Sequence, residues 1–277
     1  MNDHYVLVTS VHDLAGATMS SYLKRRAGFE CENSGDCDGK AYSSPTHKNI
    51  QLYTFSGNLL TLENVPHIFS QAEVLIFLSK HRSRSSIPTL TCHFTGNFST
   101  DNSYGGCPRQ LAIAYPSLLK AYLNTVTAFA NQEASEYEVN IEATHHGPTS
   151  INKPLLFIEL GSSEKQWKDE NAAAVICNSL LEVLDKGFEH CKKIGIGLGG
   201  THYPKKFNDL LLKSEFALAA IASKYNLETI DDDILCQMIK RSKEHVTHVI
   251  VDSSGLGAQK KRILELLNTI PLEIYKA

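Results

Sequence analysis

The sequence lacks the cysteine pattern of a disulfide scaffold or of a cysteine-rich zinc site. Its 277 residues include seven cysteines, and no two of them form a CxxC pair. Because the number is odd and the spacing is irregular, free thiols in a reducing compartment are the simplest interpretation.

Long apolar runs and a strong net charge are missing too. The longest runs, VLIFL and FALAAIA, are far too short to cross a bilayer, and the N-terminal segment has no basic stretch followed by a long apolar one. We therefore expect a soluble, cytoplasmic protein without a membrane partner, and a monomer. The formal net charge of -3 excludes a basic field over the whole molecule but not a local basic face for nucleic acid.

Short apolar runs alternate with helix-like segments along the chain, and this alternation predicts an α/β fold. YVLVTS is typical of a buried strand, and the amphipathic segment closed by Gly187 is the clearest helix. We expect a mixed, largely parallel sheet with helices on both faces, in a single domain spanning residues 1–277. IQLYTF and LLTLE flank SGN, which predicts a hairpin insertion near residues 45–65.

Polar side chains collect where the predicted strands end, in CHFTGN, EATHHGP, IELGSS, GLGGTHYP and VDSSG. The carboxyl ends of strands in open α/β sheets line one crevice, where ligands bind. We therefore expect one pocket, and its polar residues would be His93, Glu142, His145, His146, Glu159, Ser162, Ser163, His202, Tyr203, Asp252 and Ser253.

Histidine and glutamate at these strand ends suit zinc or a similar divalent ion. A lone histidine is more often a core or surface residue, and His12 is a borderline case. We keep that plain interpretation for His4, His47, His67, His81, His190, His245 and His248. His145 and His146 differ, because neighbours in extended backbone face opposite ways unless the chain turns, and Gly147-Pro148 supplies a turn. No HExxH motif is present.

Three other patterns give weaker signals. GIGLGG satisfies G-x-G-x-x-G, but no acidic residue follows at the usual spacing, so it is a poor dinucleotide fingerprint. Gly199 and Gly200 then either let a ligand approach the backbone or only form a tight strand end. No GxSxG elbow exists, and Cys92 and His93 face opposite ways in a strand.

Taken together, the segments HFTGN, EATHHGPTS, IELGSSEKQW, GIGLGGTHYPKKF and VDSSGL resemble the archaeal and plant type of D-aminoacyl-tRNA deacylase. The resemblance covers nearly the whole chain in the same order. It implies a fold akin to the phosphorylase and peptidyl-tRNA hydrolase group, hydrolysis of the ester between a D-amino acid and the tRNA 3′ end, and dependence on zinc. It departs at Ala220, near which the family often carries a histidine.

The resemblance implies roles for particular residues. The catalytic set would be Glu142, His145, His146, Glu159 and His202. The zinc ligands would come from His93, His145, His146 and His202. Substrate binding would fall to His93, Gly96, Asn97, Gly199, Gly200, Thr201, Tyr203, Lys80, Arg82, Lys205 and Lys206, with the four cations on the acceptor phosphates of a tRNA charged with a D-amino acid.

A mechanism follows as a hypothesis. Glu142, Glu159 or a neighbouring histidine acts as general base, and backbone N–H groups of the glycine-rich loops stabilise the oxyanion. Zinc polarises the ester carbonyl or activates water, and a version without metal stays open.

Two other functions use the same features. A phosphorylase-type enzyme acting on a nucleoside predicts dependence on phosphate and no need for tRNA. A non-catalytic RNA-binding module predicts tRNA binding that survives loss of His145, His146 and His202, although the negative net charge argues against it.

Overall fold

The computed structural model describes residues 3–32, 39–63 and 69–277, so His67 and Cys37 lie outside the described residues. The strands are β1 Tyr5–Ser10, β2 Glu30–Cys31, β3 Gly39–Ser43, β4 Ile50–Phe55, β5 Val74–Arg82, β6 Thr89–His93, β7 Gly96–Asn97, β8 Gln110–Leu111, β9 Glu138–Ile141, β10 Leu155–Ser162, β11 Lys193–Leu198, β12 Phe216–Ala222, β13 His248–Val251 and β14 Glu273–Lys276. The helices are α1 Leu14–Arg26, α2 Pro116–Glu133, α3 Glu164–Trp167, α4 Glu170–Lys186, α5 Lys205–Lys213, α6 Asp232–Lys240 and α7 Lys260–Leu267.

The larger sheet has eight strands in the order β2-β3-β4-β1-β5-β10-β6-β9. Strands β4, β1, β5 and β10 are parallel, whereas β6 runs antiparallel to β10 and parallel to β9. Every residue of β1 and β10 is buried. Burial on both faces explains why these segments carry apolar runs rather than an alternating pattern. The predicted mixed, largely parallel α/β fold is confirmed.

Helices α1, α2 and α4 cover one face of this sheet and share one core with it. On the other face, Val8, Phe77 and Phe157 pack with Leu59 and Phe69, both of which lie in 3₁₀ segments. Among the described residues, the core on that face contains no side chain from α1–α7. None of the helices in the described ranges is long and apolar enough to cross a membrane.

A second sheet has four parallel strands in the order β12-β11-β13-β14. Helix α2 packs against β12 as well as β6 and β9, so the two sheets contribute to a continuous core. The sequence pattern does not distinguish one sheet from two, because each strand segment looks alike whichever neighbour it pairs with. That the chain forms a single domain stays a prediction.

The hairpin predicted near residues 45–65, with IQLYTF and LLTLE as its two strands, is wrong. Strand β4 forms as expected, but it pairs antiparallel with β3. The next segment, Leu59–Thr61, is a 3₁₀ helix, and the Asn58 side chain caps it by accepting a hydrogen bond from the Leu60 amide at 3.0 Å. Asparagine forms such caps as readily as turns, so the pattern alone is ambiguous.

Candidate active site

A cavity of about 770 Å³ is lined by residues from β5, from β10, from the segment after β9 and from the loop after β11. The last of these belongs to the second sheet. It is joined to the segment after β9 because the Ala143 amide donates to the His202 carbonyl oxygen at 2.8 Å. The cavity therefore depends on both sheets.

The prediction required all of these strand ends to meet at one edge of a sheet, and they do not. Because β6 is antiparallel to β10, their carboxyl ends lie at opposite edges. Glu159 lies within β10 rather than after it, opposite Ser79 of β5 and Thr91 of β6. The polar groups meet across neighbouring strands instead. Asp252, which follows β13, lines a different cavity.

His81 lies between two buried carboxylates. Its Nδ1 donates to Oε2 of Glu159 at 3.2 Å and lies 3.1 Å from Oε1 of Glu142. Its Nε2 is 2.9 Å from the hydroxyl of Tyr203. Burial disfavours the imidazolium, but the two carboxylates outweigh burial and raise the pKa of His81 to about 10. An imidazolium therefore holds the two negative charges together.

Glu142 has a second partner on the loop after β11. Its Oε2 is 2.7 Å from Nε2 of His202 and 3.7 Å from Nε2 of His145. Burial raises the pKa of Glu142, which is only 2% exposed, but hydrogen bonds to His202 and His81 hold that pKa well below its usual range. The carboxylate is ionised at neutral pH and orients the His202 ring.

Glu159 is held ionised in the same way. It accepts a hydrogen bond from the Ser79 hydroxyl at 2.8 Å in addition to that from His81. Burial raises the pKa of Glu159, but the hydrogen bond from His81 and the nearby His93 ring, whose Nε2 lies 3.7 Å from Oε1, lower it to about 2. Two carboxylates in one cavity are tolerated because imidazoles surround them.

Three more imidazoles, those of His93, His145 and His146, form a cluster with ring centroids 4.3 to 4.8 Å apart. His146 has a φ of +42°, in the left-handed region that non-glycine residues rarely adopt. This conformation places adjacent rings on one side, so the turn predicted at Gly147-Pro148 begins one residue earlier.

The orientation of these rings suits a metal. Nδ1 of His93, His145 and His146 lies 3.2, 2.9 and 2.7 Å, respectively, from the carbonyl oxygens of Phe94, Ala143 and Gly147. A ring that donates through Nδ1 presents an unprotonated Nε2, which is the arrangement of a histidine ligand.

One nitrogen from each of the three rings lies within 4.8 Å of the others. Nε2 of His93 is buried, forms no hydrogen bond among the described residues and lies 3.7 Å from Oε1 of Glu159. Burial lowers the pKa of His145 far below its usual range and that of His146 to about 4, which keeps both rings neutral. For His93 burial also lowers the pKa, but Glu159 outweighs it and the net shift is upward.

The four predicted zinc ligands do not form one group. His202 lies with Glu142 and His145, whereas His93 lies with His145 and His146. A third group of possible ligands is His81, Glu142 and Glu159. His145 is common to the first two groups.

Most of the predicted substrate-binding residues lie in one of three places: the cavity described above, a second cavity, and strand β7. Lys80 and Arg82 line the cavity described above, as do His12, Asn58 and Tyr104. A second cavity, of about 660 Å³, is lined by the predicted residues Gly200, Thr201, Tyr203, Lys205 and Lys206.

Gly96 and Asn97 have local roles instead. Gly96 pairs with Leu111 in the β7–β8 ladder. The Asn97 side chain donates to the Asp101 carbonyl oxygen and accepts from the Ser99 amide, so it orders its own loop.

Three glycine amides near the predicted strand ends already donate hydrogen bonds within the protein. The amide of Gly96 donates to the His146 carbonyl oxygen at 2.9 Å, and that of Gly147 to the Tyr104 carbonyl oxygen at 3.1 Å. The amide of Gly199 donates to the Ala222 carbonyl oxygen at 2.9 Å. None of these three N–H groups is available to stabilise an oxyanion.

His81, which we expect from the sequence to be an ordinary core or surface histidine, lies instead at the centre of the site. The signal lies in the register of β5. Ser79 and His81 are two residues apart in a strand, so they face the same side, and Glu159 of the neighbouring strand lies opposite Ser79. Only the pairing of β5 with β10, which the sequence does not give, reveals this.

Comparisons with known proteins agree over most of the chain. A family model described as D-aminoacyl-tRNA deacylase matches residues 68–275. A D-aminoacyl-tRNA deacylase of Cenarchaeum symbiosum (strain A) is 38% identical over 272 residues, which are 98% of this chain and 99% of that protein. One from Staphylothermus marinus is 32% identical over 268 residues, 94% of each chain. A crystal structure of a conserved protein of unknown function has a TM-score of 0.89 at 26% identity, covering 99% of this chain and 95% of the other.

Proposed function

We propose the following function for this chain, which belongs to the D-aminoacyl-tRNA deacylase family. The protein hydrolyses the ester that joins a D-amino acid to the 3′ end of tRNA. The observation that supports this reaction best is the Glu142–His202 pair at the wall of the larger cavity. A buried carboxylate beside a partly exposed imidazole is the arrangement of a general base with its orienting group.

In the proposed reaction, Glu142 accepts the Nε2–H of His202 and so leaves Nδ1 unprotonated. Nδ1 takes a proton from a water molecule while the water oxygen attacks the ester carbonyl carbon. The C–O bond to the terminal ribose then breaks, and His202 returns the proton to the ribose oxygen. The products are a free D-amino acid and tRNA with a free 3′ end. Glu142 stays ionised throughout and stabilises the imidazolium that forms.

His81 and Glu159 act behind this pair. His81 neutralises the second carboxylate, so that Glu142 is not forced to share a proton with Glu159. The hydroxyl of Tyr203, bonded to Nε2 of His81, ties the loop that carries His202 to β5. We assign positioning roles to His81, Glu159 and Tyr203.

We place a zinc ion on His93, His145 and His146. The buried Nε2 of His93, which forms no hydrogen bond among the described residues, and the three Nδ1 atoms bonded to carbonyl oxygens fit this assignment. Zinc bound there would supply Lewis-acid polarisation of the substrate. His202 is then left for proton transfer rather than for the metal.

Lys80 and Arg82 would contact the phosphates next to the aminoacylated ribose. Both lie on the wall of the larger cavity, which is wide enough for an aminoacyl nucleoside. Because the substrate is tRNA, we propose that the protein acts in the cytoplasm, and that it does so as a monomer.

The test compares hydrolysis of D-tyrosyl-tRNA and L-tyrosyl-tRNA by the wild type, by Glu142→Gln and by Glu138→Gln. Glu138 is an exposed residue of β9 and serves as the matched control. We expect wild type and Glu138→Gln to cleave the D-ester selectively, and Glu142→Gln to lose about 10²- to 10⁴-fold in kcat/KM. Equal cleavage by Glu142→Gln would remove the pair from the mechanism, and no cleavage by wild type would remove the function.

A further inference from the structure

The second cavity lies at the carboxyl ends of three parallel strands. Its lining residues follow β11 (Gly200), β12 (Lys224 and Tyr225) and β13 (Asp252 and Ser254). Because these strands are all parallel, their ends open at the same edge of the second sheet. This is the position at which open α/β sheets bind their ligands.

The charges around this cavity are unequal. Lys205, Lys206 and Lys224 line it, against the single carboxylate of Asp252. The carboxylate is neutralised, since Nζ of Lys206 lies 2.8 Å from its Oδ1. Within the part of the chain that the structure describes, Lys205 and Lys224 form no ion pair. The cavity therefore suits an anionic ligand in spite of the negative charge of the whole chain.

An exposed aromatic ring stands beside these cations. Tyr225 is 68% exposed, and Nζ of Lys224 lies 5.1 Å from its ring centroid. Gly200 and Gly255 also line the cavity, and a Cβ on Gly255 would lie 2.2 Å from the Gly200 amide nitrogen, so only glycine permits that approach. A cationic groove with an aromatic ring on its rim is the arrangement that binds single-stranded nucleic acid, with bases stacked on the ring.

The two cavities share one wall, residues 200–203. His202 faces the larger cavity, whereas Gly200, Thr201 and Tyr203 line the second. The Tyr203 hydroxyl crosses to His81 of the larger cavity. A strand whose terminal residue lies beside His202 would pass this wall to enter the second cavity.

We infer that the second cavity binds the single-stranded nucleotides that precede the aminoacylated 3′ nucleotide of tRNA. Lys205 and Lys224 contact their phosphates, and the Tyr225 ring stacks on a base. The inference rests on the proposed function and assigns one surface to the substrate. A free phosphate ion would satisfy the lysines but would leave the exposed ring without a role.

The experiment uses two substrates, D-tyrosyl-tRNA and the ester of D-tyrosine with adenosine, which is confined to the larger cavity. The variants are Tyr225→Ala, Tyr225→Phe and Lys224→Ala, with Lys186→Ala of α4 as a control for loss of one exposed lysine. For D-tyrosyl-tRNA we expect kcat/KM to fall about 5- to 100-fold in Tyr225→Ala, mainly through KM, and much less in Tyr225→Phe. Lys224→Ala should lower the slope of log kcat/KM against log salt by about 1.

The adenosine ester separates the outcomes. The inference requires that Tyr225→Ala and Lys224→Ala lose activity on the tRNA substrate while the adenosine ester is cleaved at the wild-type rate. Unchanged activity on both substrates, or equal loss on both, overturns the inference and leaves the proposed function standing. Failure of the wild type on both substrates would instead overturn the proposed function, and the inference with it.

Discussion

Replacing His81 by Gln should destabilise the fold strongly and in a pH-dependent way. The imidazole is 4% exposed, and its Nδ1 lies 3.1 and 3.2 Å from oxygens of Glu142 and Glu159. Glutamine keeps one N–H donor but removes the positive charge, so two buried carboxylates would face each other. Breaking a buried ion pair costs about 3–5 kcal/mol, which in a chain of this size lowers Tm by roughly 6–20 °C.

The pH dependence follows from the direction of the two pKa shifts. The pKa of His81 is raised to about 10, so its stabilisation is fully present below pH ~6.5, the pKa of an unfolded histidine, and is lost as pH rises through 10. The pKa of Glu159 is lowered to about 2, so its contribution is present above pH ~4.3 and is lost as pH falls through 2. The Tm difference between wild type and His81→Gln should therefore be largest near pH ~5–6 and should shrink toward pH ~10.

Thermal unfolding from pH 5 to 9.5, followed by circular dichroism, measures this difference. His190→Gln is the control, because Nδ1 of His190 also lies 2.9 Å from a carboxylate oxygen, that of Glu244, but the imidazole is 64% exposed. An exposed pair contributes about 0–1 kcal/mol, so the control should change Tm by only a few degrees. The reasoning would be refuted if His81→Gln lowered Tm by no more than the control does. It would also be refuted if the Tm difference between wild type and His81→Gln were the same at pH 6 and pH 9.5.

Two further predictions concern the ligands of the larger cavity. Lys80→Ala and Arg82→Ala should each weaken tRNA binding and reduce the slope of log K against log salt by about 1, whereas the control Lys186→Ala should leave that slope unchanged. A titration of fluorescent tRNA with protein at several salt concentrations measures the slope. Unchanged slopes for Lys80→Ala and Arg82→Ala would exclude contacts between these residues and phosphates. His93→Gln should lower the zinc content of the purified protein well below that of wild type, whereas the control His248→Gln should have the wild-type zinc content. Mass spectrometry of the metal measures the zinc content. Equal zinc contents in the two variants would remove His93 from the ligand set.

The sequence predicted those parts of the site that depend on local geometry. A turn at Gly147-Pro148 is predicted to bring the side chains of His145 and His146 to the same side of the chain. Their ring centroids lie 4.4 Å apart. Helix α4 ends before Gly187 as expected, because a glycine with positive φ terminates a helix without help from residues distant in the chain. Such features need only a few neighbouring residues to be defined.

Features that depend on strand pairing were not predictable in this way. The role of His81 requires β5 beside β10, and the division of the strand ends between two cavities requires two sheets. Local periodicity gives the type of a segment but not its neighbour, and one antiparallel strand, β6, is enough to move His93 away from the edge at which β10 ends. The glycine amides illustrate the same limit, since their acceptors lie far along the chain.

The central claim is that this chain cleaves the ester of D-aminoacyl-tRNA and uses the Glu142–His202 pair to do so. The most direct measurement is the single-turnover rate of D-tyrosyl-tRNA and L-tyrosyl-tRNA hydrolysis by the wild type and by Glu142→Gln. The account predicts fast cleavage of the D-ester alone, and loss of that cleavage in the variant. Equal rates on the two esters, or a variant as fast as the wild type, would contradict it.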